Sequence, residues 1–269
     1  MTTAFHPIML CQPDSGKSCG ACCGLYNWHD HSSPALAGLM EMQTQLFLAL
    51  DDYTRLEQYR ERRNKKITNA KLFDTIYNCE FLGFVDADHC RVGCMLHPEV
   101  TGRPELRNNC FYGAKICNEH FCPSFSCLTT PEQRAVVRAT DDWYLYGLAI
   151  TDIDFVKEFF RHVENRLGES IKEQRLEHPD IQAVLREFFQ LKQKWPFTSG
   201  QRRLGKYYFS EAEYMIARIE YRKRWNVDPS RFDKILVSLE SDFSSKQELQ
   251  AAEDVIEGLV QKFLSRYEP

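Results

Sequence analysis

Eleven cysteines are the residues of this chain best equipped for chemistry, and all of them fall between Cys11 and Cys127 of 269 residues. Random placement would gather them there roughly once in four thousand sequences, so the clustering calls for a shared cause. The densest run is Cys19-Gly20-Ala21-Cys22-Cys23, and Cys79, Cys90, Cys94, Cys110, Cys117, Cys122 and Cys127 follow it. A thiolate is a soft ligand, and three or four thiolates select zinc or an iron–sulfur cluster over magnesium or calcium. The Cys19-x2-Cys22 spacing lets two thiolates of one tight turn meet one metal centre, because Gly20 and Ala21 are small enough for backbone amides to face the sulfurs. Adjacent side chains diverge, so Cys22 and Cys23 suit two metal atoms, or a cluster and its outer shell, better than one tetrahedral ion.

Composition sets the compartment in which those thiols are expected to work. The chain has 43% apolar residues, a formal net charge of -4 and a pI near 6.1. That charge gives no general reason for nucleic acid or an anionic membrane to be a partner. Met1 to Cys11 lacks the charged and apolar regions of a secretion signal, and no later stretch reaches 18 uninterrupted apolar residues. The expectation is a cytoplasmic protein, in whose reducing surroundings a cysteine cluster points to metal or catalysis and away from disulfides.

The elements that must position the cysteines divide the chain at about residue 130. Residues 1–34 are rich in Pro, Gly and Ser and show no periodic apolar face, so they are expected to be irregular and to need a cross-link. Gly16-Lys17-Ser18 resembles the tail of a phosphate-binding loop, but Cys11 stands where that loop needs a glycine, and cysteines and glycines follow where it needs a helix. Leu36, Leu39, Met40, Leu46, Phe47, Leu50, Tyr53, Leu56 and Tyr59 predict one inserted helix over about 35–66, whose basic end, Arg60 to Lys66, reads as solvated. Short strands or knuckles are expected from 67 to 130. From Pro131 onward the pattern is helical: 141–146, 155–167, a stretch through Ile181 and Phe188, 207–225, 231–239, and a last helix capped by Ser245 and Glu248. Phe155, Phe159, Phe160, Phe188 and Phe189 form a core stripe. The fold class expected is mainly α, an irregular cysteine-rich metal-binding half with a few short strands (1–130) packed on a C-terminal helical bundle (131–269).

The series Cys19-x2-Cys22-Cys23, Cys79-x-Phe81-Leu82, Cys90, Arg103-Pro104 and Cys110 resembles the YkgJ-type cysteine-cluster family, described as a zinc- or iron-chelating domain. The likeness covers about residues 11–127. Gly16 stands where the family has its first cysteine, and Arg103-Pro104 lies farther from Cys90 than the pattern has it. The resemblance implies Cys19, Cys22, Cys23, Cys79, Cys90 and Cys110 as metal ligands. Cys94, Cys117 and Cys122 are additional candidates, as extra thiols in a cysteine-rich region often serve a second site. Cys11 and Cys127 read as thiols outside the ligand set, and His89, His97 and His120 as turn residues able to complete a site. Cys22-Cys23-Gly24 also resembles the CCG domain of heterodisulfide-reductase-like proteins, but the later Cys-x-x-Cys of that domain does not occur here.

More than four thiolates and the adjacent pair favour an iron–sulfur cluster, with zinc the alternative, and the resemblance implies that such a cluster would be a [4Fe-4S] centre. The leading expectation is therefore a metal-binding protein with a thiolate-ligated iron–sulfur cluster. A zinc-dependent structural or interaction protein, with the helical half as a surface for a protein partner, is the second. The resemblance implies a third, a cluster-dependent enzyme similar to protein lysine N-methylases. No glycine-rich cofactor loop, Gly-x-Ser-x-Gly elbow or His-Glu-x-x-His pair supplies a separate catalytic constellation. A reversible thiol store or redox sensor is a further alternative.

Overall fold

A computed structural model describes residues 8–198, 206–207, 214–215 and 218–267. The protein is mainly helical, and its strands are short and paired two by two. It divides into two compact units: residues 1–121 with 142–147, and residues 122–141 with 148–269. Among the described residues no helix is long and apolar enough to cross a membrane.

In the first unit, α1 (Ser33–Leu48) and α2 (Leu56–Lys66) replace the single helix expected over 35–66. The break follows from competing demands between 49 and 55. Asp52 starts a 3-10 turn by accepting the Arg55 amide (3.0 Å), while Leu50 and Tyr53 turn inward against the core. Strand β1 (Leu82–Phe84) pairs antiparallel with β2 (Val92–Cys94), Leu82 opposite Cys94. A two-stranded ribbon leaves an open edge whose polar groups need partners. Helix α1 supplies them: Thr44 Oγ1 accepts the Phe84 amide (2.8 Å), and Gln43 donates its amide to the Leu82 carbonyl. Gly83 permits this approach, because a Cβ there would sit 2.5 Å from Met95 Sδ and 2.7 Å from Thr44 Oγ1. Stacked Tyr59 and Phe81 (5.3 Å) and edge-on Phe47 fill the space between helices and ribbon.

The N-terminal segment is less dependent on a cross-link than its composition predicts. Leu10, Leu25, Tyr26 and Trp28 are buried. The buried Asn27 side chain donates to the carbonyls of Phe73 (2.9 Å) and Ile76 (3.2 Å) and to Asn78 Oδ1 (2.7 Å), tying two irregular stretches together. Residues 142–147 return to this unit: Tyr146 Oη donates to the Leu10 carbonyl (2.7 Å), Tyr144 Oη to that of His31 (2.9 Å), and Tyr26 Oη to that of Tyr144 (3.0 Å). The phosphate-loop likeness does not extend to structure either. Asp14 caps the amides of Gly16 and Lys17, and Ser18 is buried with its hydroxyl on the Val92 carbonyl (2.7 Å).

The cysteine-rich stretch after the ribbon is more helical than knuckles alone would be, with α3 (Pro98–Thr101), a 3-10 turn at Arg107–Asn109 and α4 (Gly113–Glu119). In the second unit α5 (Pro123–Cys127) precedes α6 (Thr130–Ala139), which opens on a capping box between Thr129 and Glu132. Helix α7 (Trp143–Ile150) runs from residues of the first unit into the second.

Helices α8 (Ile153–Leu167) and α9 (Pro179–Lys194) carry the phenylalanine stripe. Phe155, Phe159, Phe188 and Phe189 are all fully buried, and Phe188 stacks on both Phe155 and Phe159 at 4.2 Å. The continuous helix expected over 207–225 is not formed. Residues 206–207 (β3) and 214–215 (β4) pair as antiparallel strands, and among the described residues that follow, helix α10 spans Tyr221–Trp225. The basic pair at 202–203 lies outside the described residues. Helix α11 (Asp233–Ser238) and the long α12 (Lys246–Tyr267) complete the unit. Ser245 Oγ accepts the Glu248 amide (3.2 Å), and the Glu248 carboxylate accepts the Ser244 amide (2.7 Å). On α12, Ile256, Val260 and Phe263 face inward, whereas Val255 faces solvent.

Candidate metal centre

Three elements bring sulfurs from distant parts of the sequence into one neighbourhood. The 3-10 turn Ala21–Cys23 ends at Gly24, which is left-handed (φ 78°) and lies against the chain at Tyr77 and Asn78. There the Cys79 amide donates to the Cys23 carbonyl (2.8 Å), which registers the two cysteines side by side. Cys79 then leads into β1, β2 ends at Cys94, and Cys110 closes the 3-10 turn that precedes α4. A Cβ on Gly24 would lie 2.2 Å from the Tyr77 carbonyl oxygen, and left-handed backbone costs a residue with a Cβ about 1–2 kcal/mol. Gly24→Ala is expected to destabilise the first unit by about 3 kcal/mol or more, read as a shift in denaturation midpoint.

The thiols interact in series. Cys79 and Cys110 are buried, Cys23 and Cys94 half-buried, and Cys117 on α4 is exposed. The Cys79 thiol interacts with that of Cys110, which favours its ionisation, and with that of Cys23, which opposes it; burial adds to the opposition, and the thiol ends well above its ordinary pKa. Cys110 is raised by Cys79 first and burial second. Cys94 is pushed up to about 11 by burial, with Cys110 and Cys117 adding to the effect. Cys117 also reaches about 11, through partial desolvation and then its Cys110 neighbour. Without a counter-charge these thiols stay protonated at neutral pH, and a soft cation binding them would have to displace their protons.

Backbone amides are directed at three of the sulfurs. The Phe81 N–H faces Cys79, the Leu96 N–H faces Cys94, and the N–H groups of Tyr112 and Gly113 face Cys110. Each favours the thiolate, as donors to sulfur do around thiolate-held metals. Arg107, itself held by Glu105 (Nε to Oε1 2.8 Å), acts in the same direction on Cys94 and Cys117. In chemistry the donor set fits a thiophilic metal. In geometry the side chains form a series and not a closed cage: among the described residues no group of three or more His, Cys, Asp or Glu is gathered so as to hold a metal ion. None of the eleven cysteines forms a disulfide.

The other expected ligands are placed as follows. Cys22 is half-buried, and with Cys23 it depresses the acidity of the Tyr112 hydroxyl, which burial has already lowered. Cys19 is half-buried near Tyr26, and its amide donates to the Cys11 carbonyl (2.8 Å). Cys90 is exposed in the β1–β2 turn with its sulfur toward the Asp88 carbonyl (3.5 Å). Cys122 belongs to the second unit, where it precedes α5, and Cys127 is exposed at the end of that helix. The histidines serve local structure. His89 stacks on Phe84 (4.5 Å) and meets Glu41 (2.9 Å), His97 caps α3 through the Glu99 amide, and His120 ends α4 in solvent.

Several residues that organise this centre carry no signal in the sequence pattern. Arg60, expected in a solvated helix end, lies over the Phe81 ring (5.1 Å), pairs with Glu80 (2.9 Å) and donates to the Asn109 carbonyl. It thereby joins the residue after Cys79 to the residue before Cys110. Tyr77 also donates to Glu80, and Arg63 is buried with its Nε on Gln43 Oε1 (2.6 Å). No protein-family model matches the chain, and no curated protein or solved structure is significantly similar to it, so the resemblance to the cysteine-cluster family rests on the motifs quoted above.

Proposed function

We propose that this protein binds a thiophilic metal through its first unit, with Cys23, Cys79, Cys110 and Cys117 as the inner set and Cys22 and Cys94 beside them. One observation carries the reading: four thiols from three separate stretches, those of Cys23, Cys79, Cys110 and Cys117, influence one another's ionisation in series around buried Cys79 and Cys110. Buried free cysteine is common as a small apolar residue, but that role does not account for amides directed at three sulfurs or for the influence of the thiols on one another's ionisation. An iron–sulfur cluster is the preferred occupant, because more thiols gather here than one tetrahedral ion needs. Bound there, a cluster would supply electron transfer or a Lewis-acidic iron. Zinc is the second reading, favoured by the four-membered series, which is a full set for one tetrahedral site.

Anaerobic purification followed by iron, sulfide and zinc analysis and a visible spectrum separates the two. Broad visible absorbance with equimolar iron and acid-labile sulfide supports the cluster, and a colourless protein with stoichiometric zinc supports the alternative. A protein that takes up neither metal sinks both readings.

A further inference from the structure

The backbone bond that sets Cys79 beside Cys23 has a counterpart outside the proposed metal set. The Cys19 amide donates to the Cys11 carbonyl (2.8 Å), which closes a loop with seven residues, Gln12 to Ser18, between the two. In paired strands such a bond leaves Cα atoms about 5.5 Å apart, a span that suits a disulfide. Both ends of the loop are anchored to the first unit by their neighbours. Leu10 is buried, and its carbonyl accepts the Tyr146 hydroxyl (2.7 Å). Ser18 is buried with its hydroxyl on the Val92 carbonyl (2.7 Å), and buried Gly20 lies so close to Leu82 that a Cβ would come within 3.2 Å of it. Asp14 braces the loop between them: it accepts the amides of Gly16 (2.8 Å) and Lys17 (3.1 Å) and pairs with the Lys17 ammonium (2.8 Å). The two cysteines therefore keep their register without a cross-link.

The two thiols differ in access. Cys11 is exposed and Cys19 half-buried. An accessible thiol beside a second, fixed thiol is the arrangement in which the first product of oxidation, a sulfenic acid, is captured as a disulfide before it is oxidised further. Cys22 is also near Cys19 along the chain, but it is half-buried in the 3-10 turn, so that pair lacks an exposed member to meet the oxidant.

We infer that Cys11 and Cys19 form a redox modification site, a dithiol that a peroxide converts reversibly to a disulfide. The Cys11 thiolate attacks one oxygen of hydrogen peroxide. The O–O bond breaks, the sulfur keeps that oxygen as a sulfenic acid, and the other oxygen leaves as hydroxide, which takes up the proton the thiol gave off. The Cys19 sulfur then attacks that of Cys11: the S–O bond breaks as the S–S bond forms, and the departing hydroxide takes the Cys19 proton as a second water. Two electrons pass from the pair of sulfurs to the peroxide. Two molecules of a small thiol reverse the change and leave as a disulfide of their own. The link would close covalently a loop that one backbone bond closes in the reduced protein, which restricts the unfolded chain. Neither sulfur belongs to the set proposed for metal, so the inference is independent of that reading.

The test treats the reduced full chain with limiting hydrogen peroxide, blocks the remaining thiols in denaturant with iodoacetamide, and maps the tryptic peptides without reduction. Cleavage after Lys17 separates the two cysteines, so a link between them is read as a joined peptide pair. In wild type the first cross-link to form is expected to join Cys11 to Cys19, with the loss of two thiols that dithiothreitol restores. Cys19→Ser is expected to leave Cys11 as a sulfenic acid that dimedone labels, whereas in wild type the link forms in place of the label. Cys11→Ser is expected to keep Cys19 unmodified at the same dose. A first cross-link from Cys19 to Cys22, Cys11 carried to sulfinic acid with no link, or Cys19 modified in Cys11→Ser as fast as in wild type would each overturn the inference. Metal content of the untreated protein bears on the metal reading alone.

Discussion

Cys79→Ser is expected to abolish metal binding, with under a tenth of wild-type iron or zinc retained on purification. Cys79 lies between Cys23 and Cys110 in the series, its ionisation influenced by both, and it is 7% exposed, so no water can take its place easily. Serine offers a hard oxygen where a soft sulfur is needed. It also places a hydroxyl in an apolar cluster, at a cost of about 1–3 kcal/mol to the metal-free protein. Two measurements keep these effects apart. Cys79→Ala removes the ligand without adding a polar group, so its metal-free form should be nearer wild type in denaturation midpoint while its metal content is as low as that of the serine variant. Cys90→Ser, at an exposed position, should match wild type in both. Full metal content in Cys79→Ala would show that the gathered thiols are ordinary core residues.

What could be read from the sequence follows the range of the interactions. Helices α6, α8, α9 and α12 have regular apolar faces and local caps such as Thr129–Glu132 and Ser245–Glu248, and both signals lie within a few residues of each other. The cysteine cluster was legible as a composition anomaly. Which of the cysteines lie near one another was not legible. Cys90 and Cys94 are four residues apart, yet a tight β-turn with left-handed His89 (φ 55°) leaves one sulfur in solvent and the other against the core. The ordering of residues 8–32 was missed for a related reason. Asn27, Tyr26 and Trp28 find their partners some 40 to 120 positions away, and no periodicity records a contact of that separation. The same holds for Arg60 and Arg63, whose long apolar stems allow a charged run to lie against a core.

The largest stability effect in the second unit is expected from Lys192→Met, through the charge it strands. Asp152 is 2% exposed and has three tasks: it caps α8 by accepting the Phe155 amide (3.0 Å), it accepts the Ser238 hydroxyl (2.9 Å), and it pairs with Lys192. Lys192 also donates to the Ser238 carbonyl (2.8 Å) and lies over the Phe155 ring (4.9 Å), so one ammonium joins α8, α9 and α11. Methionine preserves the stem and its packing but leaves Asp152 buried without its cation, and breaking such a pair from one side costs about 3–5 kcal/mol. Asp152→Asn in the Lys192→Met background should recover a large part of that loss. The amide oxygen can still cap Phe155, and the neutral side chain no longer needs a counter-charge. Urea denaturation of the two variants beside wild type measures both numbers. A single substitution costing under about 1 kcal/mol, or a double no better than the single, would mean that the attraction of the pair scarcely exceeds the cost of burying it.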